Sequence, residues 1–160
     1  MGPFSHRVDH GLDNRIIAYG CMTLLIDYVQ KYNLELGGYL GTVVKGLSDH
    51  AAEIRISALL IIQRLCNSPN NDYLFHLEKV VPLIIPPLQK ILATTLKSSA
   101  SKQDMLGHAD LMTTALRTLF LLGESIGNVE LDEIVVSSCA SNSAVEPYVS
   151  MISHQDMKRQ

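Results

Sequence analysis

Two stretches of this chain repeat one helical pattern at a distance of forty residues. In each of them an acidic residue and an arginine, separated by one position, enter an apolar run. Arg15 and Arg55 are forty residues apart, and so are Ala18 and Ala58. A helical unit repeated at this spacing cannot bury its own apolar face and must pack against neighbouring units. The repeat therefore predicts a stack of helices that presents an extended surface.

A period near forty residues with this acidic-x-Arg pattern is typical of HEAT-type repeats. We therefore predict an all-α fold, a HEAT-type α-α superhelix fragment with a short extended N-terminal segment. Its 160 residues suit a single domain. The predicted divisions are an extended arm at 1–10 and approximate repeat units at 11–47, 48–96 and 102–160. Within the arm, the alternation from Phe4 to Val8 predicts a short strand.

The composition restricts the partners and the compartment of the protein. A net charge of −3 with a pI near 6.0 argues against nucleic acid as a partner, because no basic stripe is present. Three widely spaced cysteines predict no disulfide framework and a reducing compartment. No apolar run approaches the roughly 18 residues that a membrane span needs. We expect a cytoplasmic and nuclear protein with no membrane partner and no small-molecule substrate.

The first predicted helix runs from Leu12 to about Lys31. Its apolar residues occupy nearly the whole circumference, which is typical of a helix buried between layers. We therefore expect it to be among the most buried elements, with Leu24 and Leu25 covered.

The later helices follow from the same patterning. In the second half of the chain Pro82, Pro86 and Pro87 predict a break near Ile85, since an interior proline costs about 3 kcal/mol in a continuous helix. Gly127 predicts the end of a long helix. The remaining helices are predicted at 39–47, 51–66, 72 onward and 103–124, with short terminal helices at 131–139 and 145–152.

No group of residues supports catalysis, so we predict a protein that is not an enzyme and has no cofactor. His6, Asp9 and His10 resemble a metal site, but in an extended segment the two histidines are roughly 13 Å apart, too far to share one ion. Ser5 with His6 and Asp9 has the residue types of a catalytic triad without the strand–turn–helix that would present the serine.

Two further sets of residues have structural explanations. Cys21 and Cys66 lie within apolar helix faces and are expected to be small buried hydrophobes. Arg15, Arg55 and Arg117 are interpreted as residues of the repeat spine that pair with acids of the neighbouring unit. Contact with a partner protein is the alternative for these arginines.

The N-terminal block carries the most specific pattern in the chain. It reads Gly2-Pro3-Phe4-x-His6-x-Val8-Asp9-x-Gly11-Leu12-Asp13-x-Arg15-x-x-Ala18-x-x-Cys21-Met22. Sparser matches continue through Gly46-Leu47-x-Asp49-His50 and Ile54-Arg55 as far as Arg117. The pattern resembles the start of the C-terminal segment of the cullin-associated, neddylation-dissociated proteins, a family of large HEAT-repeat exchange factors for cullin–RING ubiquitin ligases.

The resemblance implies a non-catalytic module that binds the N-terminal region of a cullin and displaces the substrate-receptor adaptor. It also implies contact with the rest of its own superhelix and a projecting β-hairpin whose return strand would be Phe4 to Val8. The protein-binding residues that it predicts are Phe4, His6, Val8, Asp9 and Arg15. The alternative is a HEAT fragment of a nuclear transport receptor or phosphatase scaffold, where this N-terminal block has no expected role.

Overall fold

Five helices in two layers make up most of the structure, which is a computed structural model. It describes residues 9–32, 36–68, 71–127, 133–134, 136–138, 142 and 145–149. The helices are α1 (Leu12–Tyr32), α2 (Leu36–Gly46), α3 (Ala52–Cys66), α4 (Asn71–Leu92) and α5 (Lys102–Ile126). In one layer α3 lies between α1 and α5, and in the other α2 packs beside α4. Within the described ranges there is no strand, so the prediction of an all-α helical stack is confirmed.

Helix α3 forms the centre of the core because it contacts all four other helices. Its side chains are therefore buried over most of its circumference, and those with no exposure are Ile54, Ala58, Leu59, Ile61, Ile62 and Leu65. Each fully buried aliphatic side chain contributes about 1.5–3 kcal/mol relative to an exposed one. The facing side of α5 supplies an apolar row whose members are all buried: Leu111, Ala115, Leu119 and Leu122.

The ends of α5 are set by local backbone chemistry. The Ser101 hydroxyl accepts a hydrogen bond from the Asp104 N–H at 3.1 Å, and the Asp104 carboxylate accepts one from the Ser101 N–H at 3.0 Å. This reciprocal cap satisfies two donors of the first turn. At the other end Gly127 adopts a left-handed conformation with φ of 68°, which favours glycine. The predicted stop at Gly127 is confirmed.

Helix α4 corrects the predicted break near Ile85. It continues through all three prolines from Asn71 to Leu92. Each proline frees the carbonyl four residues earlier, and these carbonyls belong to Glu78, Pro82 and Leu83, which are all exposed. Water can therefore solvate the freed carbonyls, so the helix bears the prolines without breaking.

Helix α1 corrects the prediction that the first helix is buried on all sides. Leu24 is 64% exposed and Leu25 is 44% exposed. In the described part of the chain α1 packs mainly against α3, so one side of the helix has no neighbouring helix. An apolar circumference shows what a helix could bury, but the number of neighbours decides what it does bury. Cys21 is exposed for the same reason, against expectation, whereas Cys66 is buried as predicted.

Helix α2 begins three residues earlier than predicted, at Leu36. The predicted strand from Phe4 to Val8 lies outside the described residues. Of the two predicted terminal helices, the stretches 133–134, 136–138 and 146–149 are helical, and the remaining positions except 145 lie outside the described residues.

Candidate protein-interaction surface

Four charged or titratable residues meet where the N-terminal segment enters α1. The Arg15 guanidinium donates two hydrogen bonds to the Asp9 carboxylate, at 2.6 and 3.2 Å. Its Nε lies 3.0 Å from an oxygen of Asp49, in the connection between α2 and α3. His50 reaches both acids, with ring nitrogens 2.7 Å from Asp9 and 3.3 Å from Asp49. We call these four residues the arm-base cluster.

Both carboxylates of the arm-base cluster also accept hydrogen bonds from the backbone of their own turns. Asp9 also accepts a hydrogen bond from the Gly11 N–H at 3.0 Å, and Asp49 accepts one from the Ala51 N–H at 2.9 Å. Each carboxylate thus orders the turn just before a helix while it holds Arg15. Because Asp49 belongs to the following predicted unit, the spine role predicted for Arg15 is confirmed.

Electrostatics within the cluster favour the charged forms of Asp9 and Arg15. The hydrogen bonds from Arg15 are the main reason that the pKa of Asp9 lies well below the usual aspartate range, with the Gly11 and His50 contacts adding to the effect. The hydrogen bond to Asp9 in turn raises the pKa of Arg15, and Asp49 adds to that effect. At neutral pH Asp9 and Arg15 therefore form an ion pair, and Asp49 lies 3.0 Å from the same guanidinium.

The lowered pKa of Asp9 predicts a pH-dependent contribution to stability. The ionised form of Asp9 stabilises the folded state, so its contribution is complete above the ordinary value of 3.8 and is lost as the pH falls below it. Asp9→Asn keeps an acceptor for Gly11 but removes the charge. Its melting temperature should therefore lie below that of the wild type at pH 7, and the gap should shrink steadily toward about pH 3. Thermal unfolding followed by circular dichroism measures both values.

Salt provides the control for the Asp9→Asn comparison. Asp9 and Arg15 are each about three-tenths exposed, at 29% and 31% of their side-chain surface. About 1 M sodium chloride should therefore narrow the gap at pH 7 by screening the pair. A gap that is unchanged between pH 7 and pH 3 would show that the Asp9 carboxylate does not stabilise the fold through its charge.

The structure describes two of the five predicted protein-binding residues. Asp9 and Arg15 lie in direct contact, whereas Phe4, His6 and Val8 fall outside the described residues. Sequence reasoning did not assign a binding role to Asp49 or His50. The signal was available, because Asp49 follows Asp9 by forty residues, the same interval that separates Arg15 from Arg55.

An apolar stripe runs along the exposed side of α1, beside the arm-base cluster. Ile17 and Leu24 are each 64% exposed and Tyr28 is 53% exposed, with exposed Cys21 between them. Their spacing of four, three and four residues places them on one face of the helix. We call these four residues the α1 stripe. A contiguous exposed apolar face of this kind marks a surface that packs against another protein element.

Two absences hold for the described ranges. No three histidine, cysteine or acidic side chains are grouped so that they could hold a metal ion. None of the five helices combines the length and the apolar character that a membrane crossing requires.

The chain can be compared with known proteins on this basis. The sequence profile of the TIP120 family, described as TATA-binding protein interacting (TIP20), matches residues 1–153. The chain belongs to the TIP120 family. The match includes the arm, the arm-base cluster and all five helices, so the family extends over both surfaces described above.

The curated relatives compared with this TIP120 chain are all named cullin-associated NEDD8-dissociated protein 1 or 2. The chain is 27% identical to cullin-associated NEDD8-dissociated protein 1 of Dictyostelium discoideum over 163 aligned positions, which cover 100% of the chain and 13% of that protein. It is 30% identical to cullin-associated NEDD8-dissociated protein 2 of Mus musculus over 76% of the chain and 9% of that protein. Against protein 1 of Schizosaccharomyces pombe the identity is 29% over 92% of the chain and 11% of the relative. The chain thus spans about a tenth of the length of these relatives.

Proposed function

We propose that this chain is a non-catalytic protein-interaction module that binds the N-terminal region of a cullin and competes there with the substrate-receptor adaptor. Its membership of the TIP120 family is the observation that carries the proposal, because the curated relatives are named as cullin-associated proteins. The same names favour this function over the alternative of a transport receptor or phosphatase scaffold. The cytoplasm and nucleus are the compartments that this function would require.

The geometry of the arm-base cluster supports a role for the N-terminal arm. Asp9 lies near the end of the arm at 1–10, and Arg15 and His50 fix it to the entry of α1 and to the α2–α3 connection. Residues 1–8 therefore start from an anchored point. We infer that Phe4, the large aromatic residue of the arm, supplies the main apolar contact with the cullin, since binding energy concentrates in a few aromatic anchors.

The α1 stripe supports contact with further repeats of the same superhelix. A solenoid unit packs on both neighbours, and α1 has a helical neighbour on only one side within the described residues. The relatives are roughly ten times longer than the matched segment. We infer that an adjoining helical repeat covers Ile17, Leu24 and Tyr28 when the segment forms part of such a chain.

The decisive experiment is a competition between this protein and a substrate-receptor adaptor for one purified cullin. It uses the longest polypeptide that carries the sequence, as wild type and as Phe4→Ala. The variant should lose about 1–3 kcal/mol in its ability to displace the adaptor, the effect of removing a typical aromatic anchor. Direct affinity for the cullin should fall much less, because the remaining surface spreads that contact over a large area.

Phe75→Ala is the matched control for the competition. Phe75 is 56% exposed on α4 and lies in the other layer from α1, so its removal should leave displacement unchanged. Equal displacement by wild type and Phe4→Ala would contradict the role of the arm. Failure of the wild-type protein to retain any cullin in a pull-down would overturn the proposed function as a whole.

A further inference from the structure

A groove of about 800 Å³ begins at the first turn of α3, just after the connection that carries Asp49 and His50 of the arm-base cluster, and includes none of the cluster residues in its lining. It is bounded by the first turns of α3, by the linker at 94–101 and by the start of α5. Its lining combines basic and apolar side chains, among them Arg55, Leu96, Lys97, Leu106, His108 and Leu111. This mixture is typical of a site that fixes a partly apolar ligand through a few polar contacts.

Arg55 lies in the groove without an ion pair to any acidic residue of the described ranges. Its Nε is shielded from solvent and meets no hydrogen-bond acceptor in the described part of the chain. None of the ion pairs found among the described residues includes it. Burial lowers its pKa, and Asp49 and Glu53 offset this only through longer-range attraction. Arg55 is half-buried, and an Nε–H that has lost water without gaining an acceptor is costly. An incoming carboxylate would relieve that cost.

The sequence offers a reason why Arg55 differs from Arg15, since no ion pair of the described residues matches the prediction that Arg55 pairs with an acid of the neighbouring unit. Arg15 receives its second carboxylate from Asp49, in the connection that leads to α3. The corresponding connection that leads to α5, residues 93–101, contains no acidic residue. Arg55 therefore has no counterpart of Asp49 in the connection that leads to the next helix of its layer.

His108 adds a second basic group to the groove. It is half-buried on α5, and burial together with the positive charge of Arg55 lowers its pKa. The other charged groups that line the groove are Lys97, Glu53, Asp104 and Asp110. Asp104 is already occupied as the cap partner of Ser101. The first turn of α5 is closed by that cap, so the anion-binding group of the groove is Arg55.

The apolar lining defines the rest of the ligand. Leu96 and Leu106 are 40% and 66% exposed beside the groove, where they could cover apolar side chains of a bound segment. Glu53 and Asp110 would repel a segment that carries several negative charges. We propose that the groove binds a short peptide segment of another protein in which a single carboxylate lies among apolar residues, with that carboxylate on Arg55. This site is separate from the proposed cullin contact and does not depend on it.

Nuclear magnetic resonance of the full chain, labelled with ¹⁵N, tests the site. The probes are acetylated and amidated Ser-Leu-Glu-Leu-Ser and Ser-Leu-Gln-Leu-Ser peptides, which differ only in the charge of the central residue. The glutamate peptide should shift the Arg55 Nε–H resonance and raise the His108 titration midpoint. It should bind about tenfold more tightly than the glutamine peptide, as expected for a hydrogen bond to a charged group.

Variants make the assignment specific. Arg55→Gln should remove the preference for the glutamate peptide, Arg55→Lys should keep part of it, and Lys90→Gln, on the exposed side of α4, should leave it intact. If Arg55→Gln fails to fold, the two peptides still decide the matter on the wild-type chain. Equal affinity for the two peptides, shifts confined to other regions, or no binding of either peptide at millimolar concentration would overturn the proposal.

Discussion

Replacing Leu59 with alanine is expected to lower the free energy of unfolding by about 2–5 kcal/mol, the range for a large-to-small change in a packed core. Leu59 has no exposed surface and lies on α3, the helix that contacts all the others. The cavity would therefore open at the junction of both layers. Urea unfolding followed by circular dichroism at 222 nm measures the difference.

The adjacent residue provides a matched control for this experiment. Leu60 has the same side chain on the same helix but is 48% exposed, so Leu60→Ala should cost less than about 1 kcal/mol. Equal losses from the two substitutions would mean that α3 does not present the face described above. A larger loss at Leu60 would mean that the helix is rotated about its axis.

Gly46→Ala is expected to destabilise the protein by about 1–3 kcal/mol through overpacking. A Cβ at this position would lie 2.6 Å from Cζ of Tyr19, far closer than van der Waals contact. The ring has little room to move, because Tyr19 is buried and its hydroxyl donates a 2.8 Å hydrogen bond to the Thr42 carbonyl. Thermal and urea unfolding of the purified variant give the loss.

A second glycine of α2 supplies the opposite expectation. A Cβ at Gly41 would meet nothing within 4 Å, so Gly41→Ala should stabilise the helix by about 0.5–1 kcal/mol. In a Tyr19→Ala background the penalty of Gly46→Ala should largely disappear, since the clashing ring is absent. A penalty that persists in that background would trace the effect to the helix backbone and not to Tyr19.

The sequence was sufficient for the parts of the fold that depend on local chemistry. Gly127 ends α5 because a left-handed residue is needed there, and the repeat interval predicted that Arg15 would meet an acid. It could not predict exposure along α1, because Leu24 and Leu25 would be buried only against a neighbour that pattern alone cannot supply. The helix break predicted from the prolines of α4 is wrong for a related reason, since the effect of a lost N–H depends on whether the freed carbonyl faces water.

The candidate sites also contain parts that the sequence predicts and parts that depend on how distant segments pack. Asp9 and Arg15 were predicted as binding residues from the resemblance, and the structure shows them holding one another. Arg55 was predicted to pair as Arg15 does, yet its unpaired state became visible only once the linker before α5 was placed against α3. The lack of an acid in residues 93–101 can be read from the sequence, but the groove depends on how this linker packs against α3, which spacing does not give.

The three prolines of α4 have a mechanical consequence. Within the six residues from Pro82 to Pro87, three backbone N–H groups are absent. Three of the backbone hydrogen bonds that resist bending in an ordinary helix are therefore missing there. Because α4 lies in the layer opposite α1, α3 and α5, a change in the curvature of the stack would stretch or compress it directly. Bending should concentrate at this segment, so we expect α4 to deform more easily than α3 when the curvature of the stack changes.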